Sequence, residues 1–394
     1  MNSDSLRLAA GYFMYFGAVG IFAPFWSPYL ALRGFGPVEI GLLIALVSAA
    51  RAVVPLMLGW IADATKRPTR VLQISAALAV VCFALFPLQS GLLSFGLLSL
   101  LFGAFWNAVI PLFDSHALHH LGTQSHRYGR LRLWGSVGFI VVTSVGGFIL
   151  DQAGYRWVPW LALPPMIGAF LMTLTVPPMA TTADRISLRE LGSIVRSRGV
   201  VAALVVATLV VMSSGAYYAF FSIWLETNHY DKSTIGLLWA LGVLAEVAVF
   251  AMGQSLLTRF SIRTLFIAAA AGTAVRWMVV AWFVAHPVLL AASQLLHCLS
   301  FAVLHFAIVL TAHREFPPAL QSTGQSLFSS VAYGGGGLAG SLLAGVIWAA
   351  VSARASYVTA AIIVVFATIC AVLGLRGTSL DQISPRQFRN SRAP

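Results

Sequence analysis

The sequence predicts an all-α integral membrane protein with twelve transmembrane helices in two pseudo-symmetric six-helix bundles. The first observation is composition: 59% of the 394 residues are hydrophobic and only 9% are charged, whereas a soluble domain carries roughly 25% charged residues. The others are a series of twelve apolar runs and an internal repeat. With so few charges the chain cannot cover a soluble surface, so a lipid bilayer must be its main solvent.

Each of the twelve runs is long enough to cross a bilayer, which takes roughly 20 mostly apolar residues. The first run lacks the short apolar core and small-residue cleavage site of a signal peptide, so we predict a retained membrane helix. The predicted spans are about Leu8–Leu32, Ile40–Ala62, Val71–Leu88, Leu93–Leu121, Leu131–Leu150, Trp157–Val176, Val200–Leu225, Thr234–Leu257, Thr264–Ala285, Pro287–Ala312, Ser322–Ala350 and Ala355–Leu375.

The internal repeat links the second and eighth predicted helices. Residues 40–51, IGLLIALVSAAR, and residues 235–246, IGLLWALGVLAE, are identical at seven of twelve aligned positions. The repeat indicates a duplicated half-protein in which Arg51 and Glu246 hold equivalent positions. Both are ionisable side chains in the middle of an apolar span, which makes them functional candidates by default.

The repeat divides the chain into two six-helix bundles, residues 1–178 and residues 200–376. Apolar residues spaced among the charges of residues 179–199 predict a cytoplasmic linker with a short amphipathic helix on the membrane surface. Residues 377–394 are predicted to form a cytoplasmic tail. We predict no separate soluble domain, and the two bundles are expected to work as a monomer.

Positive charges are distributed unevenly between alternate connections. Of the 24 Lys and Arg residues, eighteen lie in the connections on one side of the predicted membrane and four on the other. Because cytoplasmic loops are enriched in Lys and Arg, both termini are predicted to be cytoplasmic, in a bacterial inner membrane. This orientation explains the formal net charge of +12, and no nucleic-acid partner is predicted.

Two of the twelve acidic residues, Asp114 and Glu246, lie within predicted spans. An ionised side chain at the bilayer centre costs roughly 2.5–3.5 kcal/mol, so such groups face a bundle interior or a watery cavity and pair there. The candidate cationic partners are Arg51, Arg132 and Arg276. The alternative is that the two acids form structural ion pairs that hold helices together.

His297 and His305 lie eight residues apart in the tenth predicted helix. At helical spacing they are about 80° apart, on neighbouring faces. Carboxylates and imidazoles in a cavity can bind and release protons near physiological pH, so Glu246, Asp114 and His297 are predicted to carry proton coupling. Hydrogen bonds from the imidazoles to helix carbonyls are the alternative.

No metal and no cofactor is predicted. The histidines within residues 116–120 are clustered but lack the spacing and the cysteine or carboxylate partners of a metal site. The three cysteines lie in apolar segments and indicate no disulfide framework. Aromatic residues crowd the first and seventh helices, among them Tyr12, Trp26 and Tyr217. They either line a cavity suited to an aromatic substrate or face lipid and neighbouring helices.

Residues 59–70, GWIADATKRPTR, resemble the G-x-x-x-D-[RK]-x-G-[RK]-[RK] signature of the major facilitator superfamily. Gly59 and Asp63 match the signature, and its later glycine is missing. The two-bundle architecture also resembles this superfamily, whose halves rock about a central site. The resemblance implies that Gly59, Asp63 and Arg67 belong to a conformational latch on the cytoplasmic side.

Longer phrases resemble the 3-phenylpropionate permease family within this superfamily. The resemblance covers nearly the whole chain and implies proton symport of a small aromatic acid. The phrases are GYFMYFGAVGIFAPFWSPYL, YGRLRLWGSVGF, LGVLAEVAVF, AVRWM and QLLHCLSFAVLH, in the first, fifth, eighth, ninth and tenth helices.

This family is similar in turn to the lactose permeases. The similarity implies that Asp114, three residues after Pro111, is a substrate-binding carboxylate. It also implies that Arg132, within a [FY]-G-R-x-R-x-[FW]-G phrase, is the paired arginine. Glu246 resembles the acid of their eighth helix, and Arg276 the arginine of their ninth.

The tenth helix departs from the lactose permeases. Their K-x-x-H-x-x-E phrase becomes Gln294, His297 and Ser300 here, so the histidine is kept while the lysine and the proton-carrying glutamate are not. This departure assigns the proton carrier to Glu246, with Asp114 second.

An anionic substrate follows from the excess of cations over acids in the predicted site. An arginine can hold a carboxylate by two hydrogen bonds, while aromatic side chains pack against a ring. The predicted partners are therefore a small aromatic acid, protons and the lipid bilayer. The predicted substrate-binding residues are Arg51, Asp114, Arg132, Arg276, His297, Tyr12, Trp26 and Tyr217.

Three other classes of protein remain open. A proton symporter of a neutral sugar or nucleoside would use Asp114 and Arg132 for hydroxyl hydrogen bonds. An exporter of the same superfamily is second, although residues 131–150 lack the glycine-proline phrase frequent in the fifth helix of antiporters. A membrane-embedded enzyme is third and is not predicted, because the acids are scattered over separate helices without a nucleophile motif.

Overall fold

The computed structural model describes residues 3–122, 128–176, 192, 194–257, 259–317 and 320–382, without the side chains of residues 3, 55, 56, 59, 60, 63 and 252–257. Within these residues it contains twelve helices long and apolar enough to cross a membrane, as predicted. They are α1 (Ser3–Leu32), α2 (Pro37–Thr65), α3 (Pro68–Leu85), α4 (Leu92–Leu121), α5 (Tyr128–Ala153), α6 (Val158–Leu174), α7 (Arg198–Thr227), α8 (Lys232–Leu257), α9 (Ile262–Trp282), α10 (Pro287–Glu315), α11 (Gln321–Ala350) and α12 (Ala353–Gly374).

Local sequence sets many of the helix ends. Proline begins α2, α3 and α10, because its fixed φ and missing N–H suit the first helical position. The hydroxyls of Ser197, Ser261 and Ser352 accept hydrogen bonds from backbone N–H groups three residues on, and so cap α7, α9 and α12. Gly154 connects α5 to α6 with a φ of 78°, a conformation that favours glycine.

The helices pack as two bundles with the same pattern of contacts. In the first bundle, α1 packs against α5 and α6, α2 against α4, and α3 against α4 and α6. In the second, α7 packs against α11 and α12, α8 against α10, and α9 against α10 and α12. The bundles meet mainly along two helix pairs, α2 with α11 and α5 with α8. Since α2 and α8 carry the sequence repeat, the two pairs are equivalent.

The repeat places a glycine at each of these two contacts. Gly41 of α2 lies against α11, where an added Cβ would come within 2.6 Å of the Ser341 carbonyl oxygen. Gly236 of α8 lies against α5, where an added Cβ would come within 2.6 Å of the Thr143 carbonyl oxygen. Such close backbone approach requires glycine. Both contacts lie at the end of the molecule that carries the α1–α2 and α7–α8 connections, called the outer end below.

At the outer end a carboxylate of one bundle caps a helix of the other. Asp151, in the last turn of α5, accepts hydrogen bonds from the backbone N–H groups of Lys232 at 2.8 Å and Ser233 at 3.1 Å. The positive end of the α8 dipole favours a carboxylate at this position. The Lys232 ammonium also lies 5.0 Å from the centre of the Tyr155 ring. These contacts between bundles close the outer end in this structure.

Three helices of the second bundle are less regular than the sequence predicted. Helix α7 consists of Arg198–Ser213 followed by Gly215–Thr227. Helix α10 contains a π turn at Leu299–Val303, and α11 contains another at Ser329–Gly336, which includes most of the glycine run at residues 334–337. A π turn adds a residue to the helical turn, and such turns are frequent at functional sites.

The predicted linker and tail are only partly described. The charged centre of the linker, with its predicted amphipathic helix, lies outside the described residues. The start of the tail docks on the second bundle, where Leu380 is completely buried. Asp381 accepts hydrogen bonds from the Gly377 N–H at 3.0 Å and from Arg263 at 3.1 Å. The Gly377 N–H and the Arg263 guanidinium together lower the pKa of Asp381.

Candidate functional site

Arg276 lies in α9 and is completely buried in the second bundle. Its guanidinium lies 4.2 Å from the centre of the Tyr217 ring and 4.6 Å from that of Trp277. One terminal nitrogen donates to Gln294 Oε1 at 3.0 Å, and the other lies 2.7 Å from His297 Nδ1. A buried charge needs hydrogen-bonding partners of this kind to offset its desolvation.

His297 connects Arg276 to Glu246. Its Nε2 lies 2.7 Å from the Glu246 carboxylate, and His297 and Glu246 are only 6% and 8% exposed. A guanidinium can only donate hydrogen bonds, so Nδ1 accepts from Arg276 and the Nε2–H donates to Glu246. The contacts therefore select a neutral imidazole in one tautomer, because a proton on Nδ1 would point at the guanidinium.

Gly242 permits the contact between His297 and Glu246. It lies one turn before Glu246 on α8, where an added Cβ would come within 3.1 Å of the His297 ring. The first bundle achieves the equivalent approach from the other side. There Val47 of α2 is the residue equivalent to Gly242, and the glycine lies on the facing helix instead. It is Gly103 of α4, where an added Cβ would come within 2.8 Å of the Val47 backbone.

We call Arg276, His297 and Glu246 the buried triad. With Glu246 ionised, the net charge of the triad is zero, since the charges of the guanidinium and the carboxylate balance and the imidazole is neutral. An added proton has one available acceptor in this arrangement, the Glu246 carboxylate, because both ring nitrogens of His297 are engaged. Protonation of Glu246 would leave one unbalanced positive charge in the second bundle.

A second cluster of ionisable side chains lies in the first bundle and is more exposed. Tyr12 of α1 donates to Asp114 of α4 at 2.6 Å. Arg132 of α5 lies 4.0 Å from the same carboxylate oxygen, with the two side chains 37% and 27% exposed. The Arg132 guanidinium lies 4.1 Å from the centre of the Phe16 ring. A carboxylate within a span and with the exposure of Asp114 belongs at a watery space inside the protein and not against lipid.

Arg51 of α2 faces the second bundle across the interface. Its guanidinium lies 4.8 Å from the centre of the Tyr333 ring of α11, and the side chain is exposed. Within the described part of the chain, no carboxylate pairs with Arg51. His305 of α10 lies within electrostatic reach of both Arg132 and Arg51. Arg132 and Arg51 of the first bundle therefore both lie near His305 of the second.

The π turn of α10 changes which residues share a face. The ring centres of His297 and Phe301 are 6.2 Å apart, and those of Phe301 and His305 are 6.4 Å apart, with nearly parallel planes. The prediction that the two histidines lie on neighbouring faces is therefore wrong. The extra residue of the π turn removes about 100° of rotation, which aligns the three rings in one column along α10, called the aromatic column below.

The structure separates two of the predicted aromatic candidates. Tyr217 lies against the Arg276 guanidinium and belongs to the buried triad's surroundings. Trp26 is instead buried in the first bundle, where it contacts rings that include Phe22 and Phe83. None of the described contacts joins Trp26 to Asp114, Arg132 or Arg51. The contacts that Trp26 makes indicate a role in packing.

Two further residues at this site were not among the predicted ligands. Gln294 holds Arg276, although the sequence marked it only as a departure from a related phrase. Tyr333 lies between Arg51 and Phe301, with 6.5 Å between the Tyr333 and Phe301 ring centres. The glycine run that follows Tyr333 was the available signal, because it marks the irregular turn that positions the ring.

The histidine cluster at residues 116–120 has a structural explanation. His116 is buried; its Nδ1 lies 2.8 Å from the Leu112 carbonyl oxygen and its Nε2 lies 2.9 Å from the Thr69 hydroxyl. The bond to Thr69 joins α3 to α4. No group of three His, Cys, Asp or Glu side chains in the described residues could hold a metal ion.

The predicted latch is described only in part. Gly59 and Asp63 lie within α2, and the side chain of Asp63 is outside the described part of the structure. Arg67 is exposed immediately before α3. The position that the superfamily signature gives to its later glycine is occupied by Lys66, which has a φ of 54°. For residues with a side chain, this left-handed conformation costs roughly 1–2 kcal/mol.

Replacing Lys66 by glycine is expected to stabilise the protein by about 1 kcal/mol, because glycine adopts the left-handed conformation without the clash of Cβ. The measurement is the apparent melting temperature of the purified protein, which should rise. Lys66→Ala is the control, since it removes the same charge and keeps the strain. An equal rise in both variants would contradict this explanation.

Two six-helix bundles of equivalent topology, with ionisable groups at and beside their interface, define a secondary transporter of the major facilitator type. The family model described as "MFS_1 like family" matches residues 5–359, and the chain belongs to this family. The predictions of a transporter, and not an enzyme, and of a multi-pass membrane protein are thereby confirmed.

Individual relatives support this assignment. The chain is 31% identical over 332 residues to the "Probable 3-phenylpropionic acid transporter" of Escherichia coli (strain K12), covering 83% of this chain and 87% of that protein. It is 27% identical over 379 residues to the "Maltose permease" of Geobacillus stearothermophilus, covering 92% and 91%. Among solved structures, the nucleoside transporter NupG superposes with a TM-score of 0.81 at 16% identity, covering 96% of this chain and 100% of that one.

Proposed function

We propose that the protein is a proton-coupled symporter that moves a small aromatic carboxylate, such as 3-phenylpropionate, across the bacterial inner membrane by alternating access. Similarity to the Escherichia coli relative named for 3-phenylpropionic acid supports this substrate class. We further propose that both termini are cytoplasmic, so that the closed outer end faces away from the cytoplasm. The chain can complete this cycle as a monomer.

The observation that carries the proposal is the buried triad. Glu246 is a mid-span carboxylate in a pair with a neutral histidine, and the cation that balances it in the buried triad, Arg276, is held two contacts away. Adding one proton changes the net charge of the triad from zero to +1. In a medium of low dielectric constant, this change acts strongly on a nearby anion. Proton binding and anion binding therefore favour each other.

The substrate class is supported by the chemistry around the space between the bundles. Arg51 and Arg132 offer guanidinium groups, and among the described side chains one carboxylate, that of Asp114, lies within salt-bridge distance of them. Aromatic rings lie next to both arginines, with Phe16 beside Arg132 and Tyr333 beside Arg51. A ligand with one carboxylate and one ring matches this combination of charge and aromatic surface.

The proposed cycle begins with the outer end open. A proton binds Glu246, and the resulting positive charge favours binding of the carboxylate. The bundles then rock until the contacts at Gly41, Gly236 and Asp151 close the outer end, as in this structure. The higher cytoplasmic pH removes the proton, which weakens anion binding and releases the substrate. Asp63 and Arg67 act in the latch that holds the opposite end during the other half of the cycle.

Replacing Gly236 by valine is expected to slow transport. The new side chain meets the Thr143 carbonyl oxygen and the Phe25 ring, and overpacking of this kind costs roughly 1–3 kcal/mol. Because the clash is present only when the outer end is closed, it raises the free energy of the closed state. Closing should therefore slow, and the uptake rate should fall about tenfold. Gly129→Val is the matched control, since an added Cβ there meets nothing within 4 Å. Equal rates in both variants would exclude this closing contact.

The proposed function is tested by adding 3-phenylpropionate to lightly buffered, de-energised cells that express the protein, while external pH is recorded. Inward symport should produce a transient alkalinisation that is absent from cells without the protein. A panel of sugars and nucleosides follows under the same conditions. Alkalinisation with 3-phenylpropionate supports the proposal, and its absence overturns the proposed substrate.

A sugar or nucleoside symporter is the second candidate. It is favoured by the hydrogen-bonded pair of Tyr12 and Asp114 beside Arg132, since carboxylates and arginines also hold neutral hydroxyl groups. The similarity to the Geobacillus relative named maltose permease supports the same class. Alkalinisation with sugars but not with 3-phenylpropionate would favour this candidate while keeping the proton-coupling site.

A further inference from the structure

We propose that the substrate carboxylate binds between Arg51 of α2 and the hydroxyl group of Tyr333 of α11, so that the anion joins the two bundles. This inference rests on the proposed function and names where its anionic group is held. Asp114 and Arg132, on the first bundle, then contact the remainder of the ligand. Arg276 is completely buried and acts on the substrate through its charge.

Arg51 is a cation of the site with hydrogen-bonding capacity to spare. Its guanidinium lies over the Tyr333 ring, 4.8 Å from the ring centre, and in the described residues no carboxylate lies within salt-bridge distance. Arg132 is beside Asp114, and Arg276 is held by Gln294 and His297. A guanidinium carries five N–H donors, so contact with one ring leaves donors of Arg51 available for a carboxylate.

Tyr333 supplies the second donor. Its hydroxyl oxygen is buried and has no hydrogen-bond partner among the described residues. A buried hydroxyl without a partner is costly, so this group beside Arg51 indicates a place for a ligand that accepts its hydrogen bond. A carboxylate oxygen is the acceptor that would satisfy it, and the same carboxylate can accept from Arg51.

The π turn of α11 explains how Tyr333 reaches this position. Tyr333 lies within Ser329–Gly336, next to three glycines of the run. Gly334 approaches α2 so closely that an added Cβ would come within 2.6 Å of the Ala52 side chain. This contact brings the Tyr333 ring beside Arg51, the residue before Ala52. The irregular helix thus places a donor of the second bundle next to a cation of the first.

The aromatic column provides the surface for the ring of the substrate. Phe301 lies 6.5 Å from Tyr333, with the two planes at 64°, and the π turn of α10 points Phe301 and His305 along one face. A ring attached to a carboxylate at Arg51 can pack edge to face against this surface, an arrangement that aromatic pairs prefer. The distance between Arg51 and Phe301 then determines how long a chain can link the carboxylate of the substrate to its ring.

The test compares binding of 3-phenylpropionate and of its neutral amide, 3-phenylpropionamide, to the purified full-length protein and to the variants Arg51→Gln and Tyr333→Phe. Wild type should prefer the acid. Arg51→Gln should weaken acid binding about tenfold or more and leave amide binding within about twofold, because hydrogen bonds between charged groups are stronger than those between neutral groups. Tyr333→Phe should weaken acid binding severalfold by the same reasoning. Arg156→Gln, at an exposed arginine outside the spans, is the matched control and should change neither.

The acid-to-amide ratio separates a direct contact from loss of structure, because misfolding would weaken both ligands together. Arg51→Lys adds a second check: it keeps the charge and loses the bidentate fork, so its ratio should lie between wild type and Arg51→Gln. If wild type prefers the acid and every variant keeps that preference, this site is wrong while the proposed function stands. If wild type does not bind the acid, the proposed function and this inference both fail.

Discussion

Replacing Glu246 by glutamine should abolish accumulation of substrate against its gradient while preserving exchange of substrate across the membrane. Glutamine has nearly the shape of protonated glutamic acid, and its amide oxygen can still accept the hydrogen bond from His297 Nε2. The triad then keeps its positive charge permanently. Exchange of bound for free substrate needs no change of protonation. Accumulation requires residue 246 to bind a proton on one side of the membrane and release it on the other, which glutamine cannot do.

The size of the effect follows from linkage. With one proton per substrate, a gradient of one pH unit can sustain about a tenfold concentration ratio, and in the variant this ratio should fall to about one. Asp114→Asn is the matched comparison, because it removes the other mid-span carboxylate. It should weaken substrate binding and keep the pH dependence of accumulation. Accumulation by Glu246→Gln that equals wild type would assign the proton to another residue.

Replacing Arg276 by methionine has the second large expected effect, on stability as well as on transport. The substitution leaves the Glu246 carboxylate buried without its balancing charge. Removing one member of a buried ion pair costs roughly 3–5 kcal/mol. The variant should therefore melt far below wild type and show no uptake.

The double variant Arg276→Met with Glu246→Gln distinguishes charge balance from packing. Both charges of the triad are then gone, so the melting temperature should recover much of the loss, and the two substitutions should be strongly non-additive. Uptake should stay absent, because the proposed proton carrier is missing. Additive destabilisation would mean that Arg276 contributes through its contacts with Tyr217 and Trp277 and not through the charge of Glu246.

The sequence was sufficient for the fold because lipid imposes a simple rule. Every spanning segment must be long, apolar and helical, so the twelve spans could be predicted within a few residues of their ends. The repeat of residues 40–51 at residues 235–246 also carried structural information, since it placed Gly41 and Gly236 at equivalent contacts between the bundles. Ionisable residues within spans are rare enough that Arg51, Asp114, Glu246 and Arg276 could be selected by position alone.

The arrangement within the site could not be predicted from the same patterns. The angle between His297 and His305 depends on the π turn at Leu299–Val303, which is set by tertiary packing and leaves no periodic signal in the sequence. The contact of Arg51 with Tyr333 depends in turn on the π turn of α11. Burial could not be predicted either. Arg276 and Arg51 both lie within apolar spans, but Arg276 is enclosed while Arg51 is exposed.

The most direct test of proton-coupled symport is uptake of 3-phenylpropionate by purified protein in liposomes with an imposed pH gradient. With the outside more acidic by one unit, we expect accumulation of about tenfold for one proton per substrate, lost when a protonophore collapses the gradient. Liposomes without protein correct for permeation of the neutral acid through lipid. Uptake that depends on the protein but not on the direction or size of the pH gradient would contradict the central claim and leave a uniporter.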